Sequence, residues 1–365
     1  MKITIERKSF IDALSVGGQM SGKSRGLSIL DNIKLTIKNL TATISSYDGE
    51  VAIIKRVNIV ENDEEFIVCV DPKTLGSILN SIKDDVVELY FSDNKCEIKH
   101  SKGFLSMPFF DADEYPSPII DKKTDSFELK SELLFNWFKE ARNFVSTNTL
   151  YPQLMGVCIY IEDGEFGIAS SDMSVLYHDK IEYDYHGEKQ SMVISLKALN
   201  AILPMINGSE KVYLINSERN IIFRTSDSML IATKSEAPFP NFKAIIPSST
   251  EIEISVGKNE FLESIKRTMI TADEKTCLIK LEVSKNSIKI HSENTLEGKS
   301  SHDECVCECS DENISIAARG NYMINMINSI ESESMKILLS HPTRPILWCD
   351  MLNNNKVLLQ MPCAM

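Results

Sequence analysis

The sequence predicts an α+β fold with antiparallel sheets, on three observations. Short runs such as VVELYFS, KCEIKHS, KVYLINS, NIIFRTS, KILLSHP and KVLLQMP alternate apolar and polar residues, the period of a half-buried strand. Helical periodicity is confined to brief segments that directly follow a strand-like run. The same strand-then-helix grammar returns along the whole chain, so the sequence reads as a repeat.

The repeat units justify themselves in order. Three long units open with KITIERKSFIDALSV, SFELKSELLFNWFKEARNFV and EIEISVGKNEFLESIKRTMI. In the second, Leu133, Leu134, Trp137, Phe138, Ala141 and Phe144 recur at helical spacing. Each unit then repeats the grammar once, with EEFIVCVDPKTLGSILNSI, QSMVISLKALNAILPMI and NISIAARGNYMINMINSI. Asp71 and Pro72 form a good helix start, the acid as N-cap and proline at the first helical position. The chain is therefore six modules in three domains, residues 1–122, 123–247 and 248–365. An aromatic–Pro mark closes the first two, YPSPII at 115–120 and FPNFKAIIP at 239–247. There the prolines end an edge or terminal strand and set the linker.

Bulk composition is that of a soluble multidomain protein. The 365 residues exceed one ordinary core, and no apolar run approaches a membrane span. The amino-terminal MKITIERKSF alternates like a strand and lacks the apolar stretch of a signal peptide, so the expected location is cytoplasmic. Nine cysteines, an odd number and mostly inside apolar runs, fit buried thiols in a reducing compartment. The net charge of −13 argues against a simple nucleic-acid binder. It leaves open one whose basic residues are gathered on a single surface.

Taken together, the three-domain layout, FPNFKAIIP, SLKALNAIL and its counterparts, GEFGIASSDMSVLYHDKI and the terminal KVLLQMPCAM resemble the bacterial DNA sliding clamps, the beta subunits of DNA polymerase III. FPNFKAIIP is similar to the family's Phe-Pro-Asp-Tyr-basic-basic-aliphatic-x-Pro, and MPCAM to its terminal Met-Pro-Met-Arg-Leu. The resemblance covers the whole chain and rests on the order and spacing of the motifs. It implies a head-to-tail homodimer of six similar domains in a ring, with two helices per domain lining the hole. It also implies partners: duplex DNA bound without regard to sequence, a replicative polymerase, a clamp loader, and other proteins carrying a short clamp-binding peptide. A head-to-tail contact is heterologous and closes only if the rotation closes.

An encircling ring needs a positive lining rather than base contacts. Lys73, Lys197 and Arg319 recur at similar helix starts. Lys139, Arg142, Lys258, Lys266 and Arg267 lie in or beside the first helices of their domains, and Lys23 and Arg25 in the polar loop MSGKSRG. These ten are the candidate DNA-facing residues; the plainer reading of each is a solvated helix face. For the dimer contact, the candidates are Phe104 and Leu105 against Ile270.

The resemblance further implies a partner-peptide pocket. Its positions here are Leu154, Ser171, Met173, Ser174, Val175 and Leu176, then Pro240, Ala244 and Ile245. The last domain adds Thr276, Tyr322, Thr343 and Pro345, and the tail adds Leu359, Gln360, Met361, Pro362 and Cys363. An apolar pocket at a domain junction is a reasonable peptide site; the plainer reading is that these residues seal two domains. The chain departs from the pattern at the mouth. The family's Thr-Asp-Gly-His-Arg-Leu is SDMSVL here, and the second basic residue of FPNFKAIIP and the terminal basic residue are Ala244 and Ala364. A less polar mouth and an altered peptide preference follow.

Catalytic and metal motifs are weak. SHDECVCECS offers His302, Cys305, Cys307 and Cys309, but cysteines at period two describe a strand, whereas zinc sites favour turns that curl ligands around the ion. Asp163–Gly164 is a hairpin signal, Asp111, Asp113 and Glu114 lie in a loop, and His178 lies in a strand-like run. No phosphate-binding glycine loop or nucleophile elbow is present. The expectation is a protein that is not an enzyme and needs no cofactor or metal. Its rivals are a peptide-binding scaffold that does not encircle DNA, and an enzyme with a Cys-rich metal site.

Overall fold

The computed structural model describes residues 1–22, 28–120, 124–310 and 314–364. All six predicted modules are present as a strand running directly into a helix. Lys2–Glu6 enters α1 (Arg7–Gly17), Phe66–Val70 enters α2 (Pro72–Ser81), and Thr124–Lys130 enters α3 (Ser131–Ala141). Gln190–Ser195 enters α4 (Leu196–Ile206), Ile252–Gly257 enters α5 (Lys258–Met269), and Ile314–Arg319 enters α6 (Gly320–Asn328). The local reasons match the sequence. The Asp71 carboxylate accepts from the N–H groups of Lys73 and Thr74, both at 3.1 Å, and Pro72 fills the first helical position. Glu6 caps α1 in the same way, accepting from Lys8 and Ser9.

The strands form two antiparallel sheets, one of thirteen strands and one of twelve. The chain divides into two compact units along the same line. Residues 1–136 with 197–234 hold the first sheet; residues 137–196 with 235–365 hold the second. The middle third thus contributes to both. Its strands Thr124–Lys130, Lys211–Ser217, Asn220–Arg224 and Ser228–Thr233 lie in the first sheet. Gly156–Glu162, Glu165–Ser171, Val175–Glu182 and Gln190–Ser195 lie in the second. Each set is joined edge to edge to a strand of another third. Ser228–Thr233 pairs with Val51–Asn58, Leu230 opposite Ile53. Val175–Glu182 pairs with Val357–Gln360, Leu176 opposite Leu359. The predicted boundary between 122 and 123 lies outside the described residues.

Each unit buries an apolar layer under its helices. In the first, Phe10, Leu14, Leu75 and Leu79 of α1 and α2 pack with Ile3, Ile44, Leu89 and Ile98 of the sheet. In the second, Phe261 and Ile265 of α5 and Met323, Met326 and Ile327 of α6 are wholly buried. Burial at about 25 cal/mol per Å² of apolar surface is the dominant favourable term in both. The Asp163–Gly164 hairpin forms with both residues at positive φ, +50° and +80°, as a tight two-residue turn requires.

Candidate functional site

The segment SDMSV is a tight loop leading into strand Val175–Glu182. The Asp172 Oδ1 accepts from the N–H groups of Ser174 at 2.9 Å and Val175 at 3.0 Å. The Ser171 hydroxyl donates to the Val175 carbonyl at 2.7 Å and accepts from the Met173 N–H at 3.2 Å. These bonds hold Met173 at φ +80°, a conformation that favours glycine, with its side chain exposed. The resembling motif has glycine at this position.

The carboxyl-terminal tail runs beside that loop. The Met361 N–H donates to the Ser174 carbonyl at 2.7 Å, and the Cys363 N–H donates to the Ala317 carbonyl at 2.7 Å. The buried Gln360 amide donates to the Arg319 carbonyl at 3.0 Å. From α6, the Tyr322 hydroxyl donates to the Asp172 carboxylate. Burial and that bond push the Tyr322 phenol up to about 12, so it stays a donor at neutral pH. The Arg319 guanidinium lies 5.9 Å from the centre of the Tyr322 ring.

The FPNF segment flanks the same strands. Phe239, Phe242 and Ile246 pack on Cys158, Tyr160, Ala169, Leu176, Val193 and Leu359. A groove of 210 Å³ lies along it, lined in part by Tyr160, Ser191, Phe239, Pro240 and Lys243. Beneath it His178 shares a 2.8 Å hydrogen bond with the Tyr160 hydroxyl. Burial first, then the cations of Lys243 and Lys180, push His178 down to about 4. It is a neutral, structural histidine, as its strand setting predicts. Lys243 is neutralised by Glu162 at 2.5 Å and Glu165 at 3.6 Å.

The predicted pocket residues differ in burial. Leu154, Ser171, Val175, Leu176, Leu359 and Gln360 are buried. Met173, Pro240, Ala244, Ile245, Thr276, Thr343 and Met361 are exposed, and Ser174, Tyr322, Pro345, Pro362 and Cys363 are half-buried. Thr276 precedes Cys277, whose carbonyl accepts from the Gly320 N–H at 2.7 Å, so it lies at the start of α6. Pro345 precedes strand Ile346–Asp350, in which Ile346 pairs with Gln360. The Thr343 hydroxyl shares a 2.9 Å hydrogen bond with His341 Nδ1 in the turn before that strand. Asp172 was not among the predicted residues, although the spacing Asp-x-Ser before a strand is a recognisable turn signal.

The basic candidates differ in their surroundings. Lys73 and Lys197 are each the second residue of a helix, but Arg319 is the residue before α6. The threefold recurrence is thus twofold, because α6 begins at Gly320. Lys197 is held 2.9 Å from the buried Asp48 carboxylate and also contacts Glu50. Lys258 donates to the Ile330 carbonyl, Lys266 pairs with Glu263 at 2.8 Å, and Arg267 pairs with Asp303 at 2.6 Å. Lys73, Lys139 and Arg142 are exposed and have no ion-pair partner among the described residues. Lys8 on α1, missed in the sequence, is exposed likewise. Lys23 and Arg25 lie outside the described residues. Cys305 and Cys307 are buried strand thiols, pushed by desolvation up to about 12 and 11.

Of the dimer candidates, Phe104 is 63% exposed and Ile270 is 78% exposed at the end of α5. Leu105 is half-buried and packs against the core of the first unit, on the strand face opposite Phe104, since neighbours on a strand face opposite ways. Strand Gly103–Phe110 is paired over Gly103–Pro108 with Lys95–His100 on one side only, leaving an open edge.

Repeated strand–helix modules on long antiparallel sheets define a DNA-clamp fold. The model of the DNA polymerase III beta subunit N-terminal domain matches residues 1–119, and that of the C-terminal domain matches residues 243–364. The chain is 23% identical to a beta sliding clamp of Staphylococcus epidermidis over 357 residues, 95% of each chain. It is similar in fold to the DNA polymerase III subunit beta of Pseudomonas aeruginosa, with a TM-score of 0.94, 18% identity and full coverage of both chains. It is similar also to the Helicobacter pylori beta clamp bound to a DNA ligase peptide, with a TM-score of 0.91, 21% identity and full coverage of both. The two domain models together span two thirds of the chain. The chain belongs to the DNA polymerase III beta-subunit family, the sliding clamps.

Proposed function

We propose that two copies of this chain close head to tail around duplex DNA and tether a replicative polymerase to its template. The observation that carries this reading is the match of both terminal thirds to the beta subunit in one chain built of six strand–helix modules. Charge placement supports it. The protein carries a net −13, yet its six helices hold eight basic residues against five acidic ones. A helix lining less negative than the rest suits phosphates met at any register. The mechanism is topological and non-catalytic: confinement raises the effective concentration of polymerase at the primer end. A clamp loader opens and closes the ring in the cytosol, and the three domains meet near residues 122 and 247.

The dimer contact joins the open edge at Phe104 to the end of α5 at Ile270. The partner site is formed by the SDMSV loop, the tail and the start of α6, with the FPNF segment at its flank. The Helicobacter pylori relative binds a ligase peptide. The equivalent ligand here is a short, mainly apolar peptide of polymerase or another replication protein.

The test is retention on circular primed DNA in the presence of a clamp loader and ATP. Protein should stay with the circle through gel filtration and be lost when the circle is cut. Equal retention on cut and closed DNA would overturn encirclement.

A further inference from the structure

Arg319 has no place in the helix-start pattern that suggested a DNA-facing role. Its backbone carbonyl is bonded by Gln360 of the tail, and its guanidinium lies over the Tyr322 ring, whose hydroxyl is anchored on Asp172. It therefore stands where the tail, α6 and the SDMSV loop converge. The carboxylates near it are spoken for. Asp172 accepts from two backbone N–H groups and from Tyr322, and no carboxylate lies within ion-pairing distance of Arg319 among the described residues. Lys243, on the flanking FPNF segment, is paired with Glu162 and Glu165. Ser174, Val175 and Ala364 supply no charge.

We propose that Arg319 is the specificity-determining cation of the partner site and selects peptides bearing a carboxylate next to their apolar residues. The assignment rests on the peptide-site reading above. The Tyr322 side chain restricts the guanidinium, whose ring contact is 5.9 Å and which also interacts with the Tyr322 hydroxyl, while its planar fork of five N–H groups exceeds what that one partner can use, a geometry arginine offers and lysine does not. Tyr322 acts as a positioning residue, held in turn by Asp172.

The test compares three synthetic peptides by titration calorimetry. One is the amidated neutral Gln-Leu-Ser-Leu-Phe; the second carries Asp in place of Ser; the third is the neutral sequence with a free carboxyl terminus. One of the two carboxylate peptides should bind roughly three- to fivefold tighter than the neutral one, the range of an exposed ion pair. Arg319→Gln should abolish that gain, so that the carboxylate and neutral peptides bind the variant alike, and Arg319→Lys should restore only part of it. No gain in the native protein, or a gain that survives Arg319→Gln, would overturn the assignment. Failure of all three peptides to bind the native protein would overturn the peptide site itself, and the assignment with it.

Discussion

The Met361 N–H donates to the Ser174 carbonyl at 2.7 Å, tying the carboxyl-terminal tail to the loop that precedes strand Val175–Glu182. Beyond it residues 362–364 make one further backbone bond, from Cys363 to Ala317, and the side chains of 361–364 are only half-buried or exposed. Removing residues 361–365 should therefore cost about 1–2 kcal/mol of stability, two hydrogen bonds and little apolar burial. Peptide binding should fall by tenfold or more. Denaturant unfolding and calorimetry on the same truncated protein separate the two effects; unchanged peptide affinity would remove the tail from the site.

His178 predicts a pH dependence of stability. Its folded pKa is about 4, against about 6.5 in an unfolded chain. The unfolded state takes up a proton that the folded state refuses, so stability is lost as pH falls from about 6.5 to 4. The loss attributable to this residue is at most about 3 kcal/mol. In His178→Gln the urea midpoint should vary less with pH across that window; an identical slope would show that other groups govern it.

Phe104 and Ile270 offer a clean test of assembly. Both are exposed, so changing them leaves each unit's core intact. The double variant Phe104→Glu, Ile270→Glu places like charges on the two sides of the proposed contact and should sediment as a monomer. Leu105→Glu should in addition destabilise the first unit, because Leu105 packs against its core. A double variant that stays dimeric would relocate the interface.

The basic residues should divide by their partners. Reversing Lys73, Lys139 and Arg142 to Glu should weaken retention on circular DNA severalfold and lower the salt dependence by about 0.9 in log–log slope per lost phosphate contact. Lys197→Ala should act mainly on stability, costing about 1–2 kcal/mol, because it leaves the buried Asp48 carboxylate without its cation. Equal effects of both changes on DNA retention, with no change in thermal midpoint, would contradict this division.

Much of this was legible in the sequence because it is local. Strand–helix modules, the Asp71–Pro72 start, the Asp163–Gly164 turn and the strand character of the cysteine run each depend on a few neighbouring residues. The corrections concern relations across distance. Lys197 resembled a free helix-start cation until Asp48, remote in sequence, proved to lie beneath it. Arg319 aligned with Lys73 and Lys197 only while the start of α6 was unknown. Leu105 was the exception: alternation along its own strand was enough to turn it away from Phe104. The anchoring of Tyr322 on Asp172 joins residues 150 positions apart, and no local pattern announces it.

The pairings Leu230–Ile53 and Leu176–Leu359 carry one more consequence. The sequence repeat suggests thirds, but each sheet takes strands from more than one of them. A fragment of residues 123–247 made alone would bare two long strand edges, at Ser228–Thr233 and at Val175–Glu182, each rich in apolar residues. Such edges recruit other strands, so the fragment would be prone to self-association.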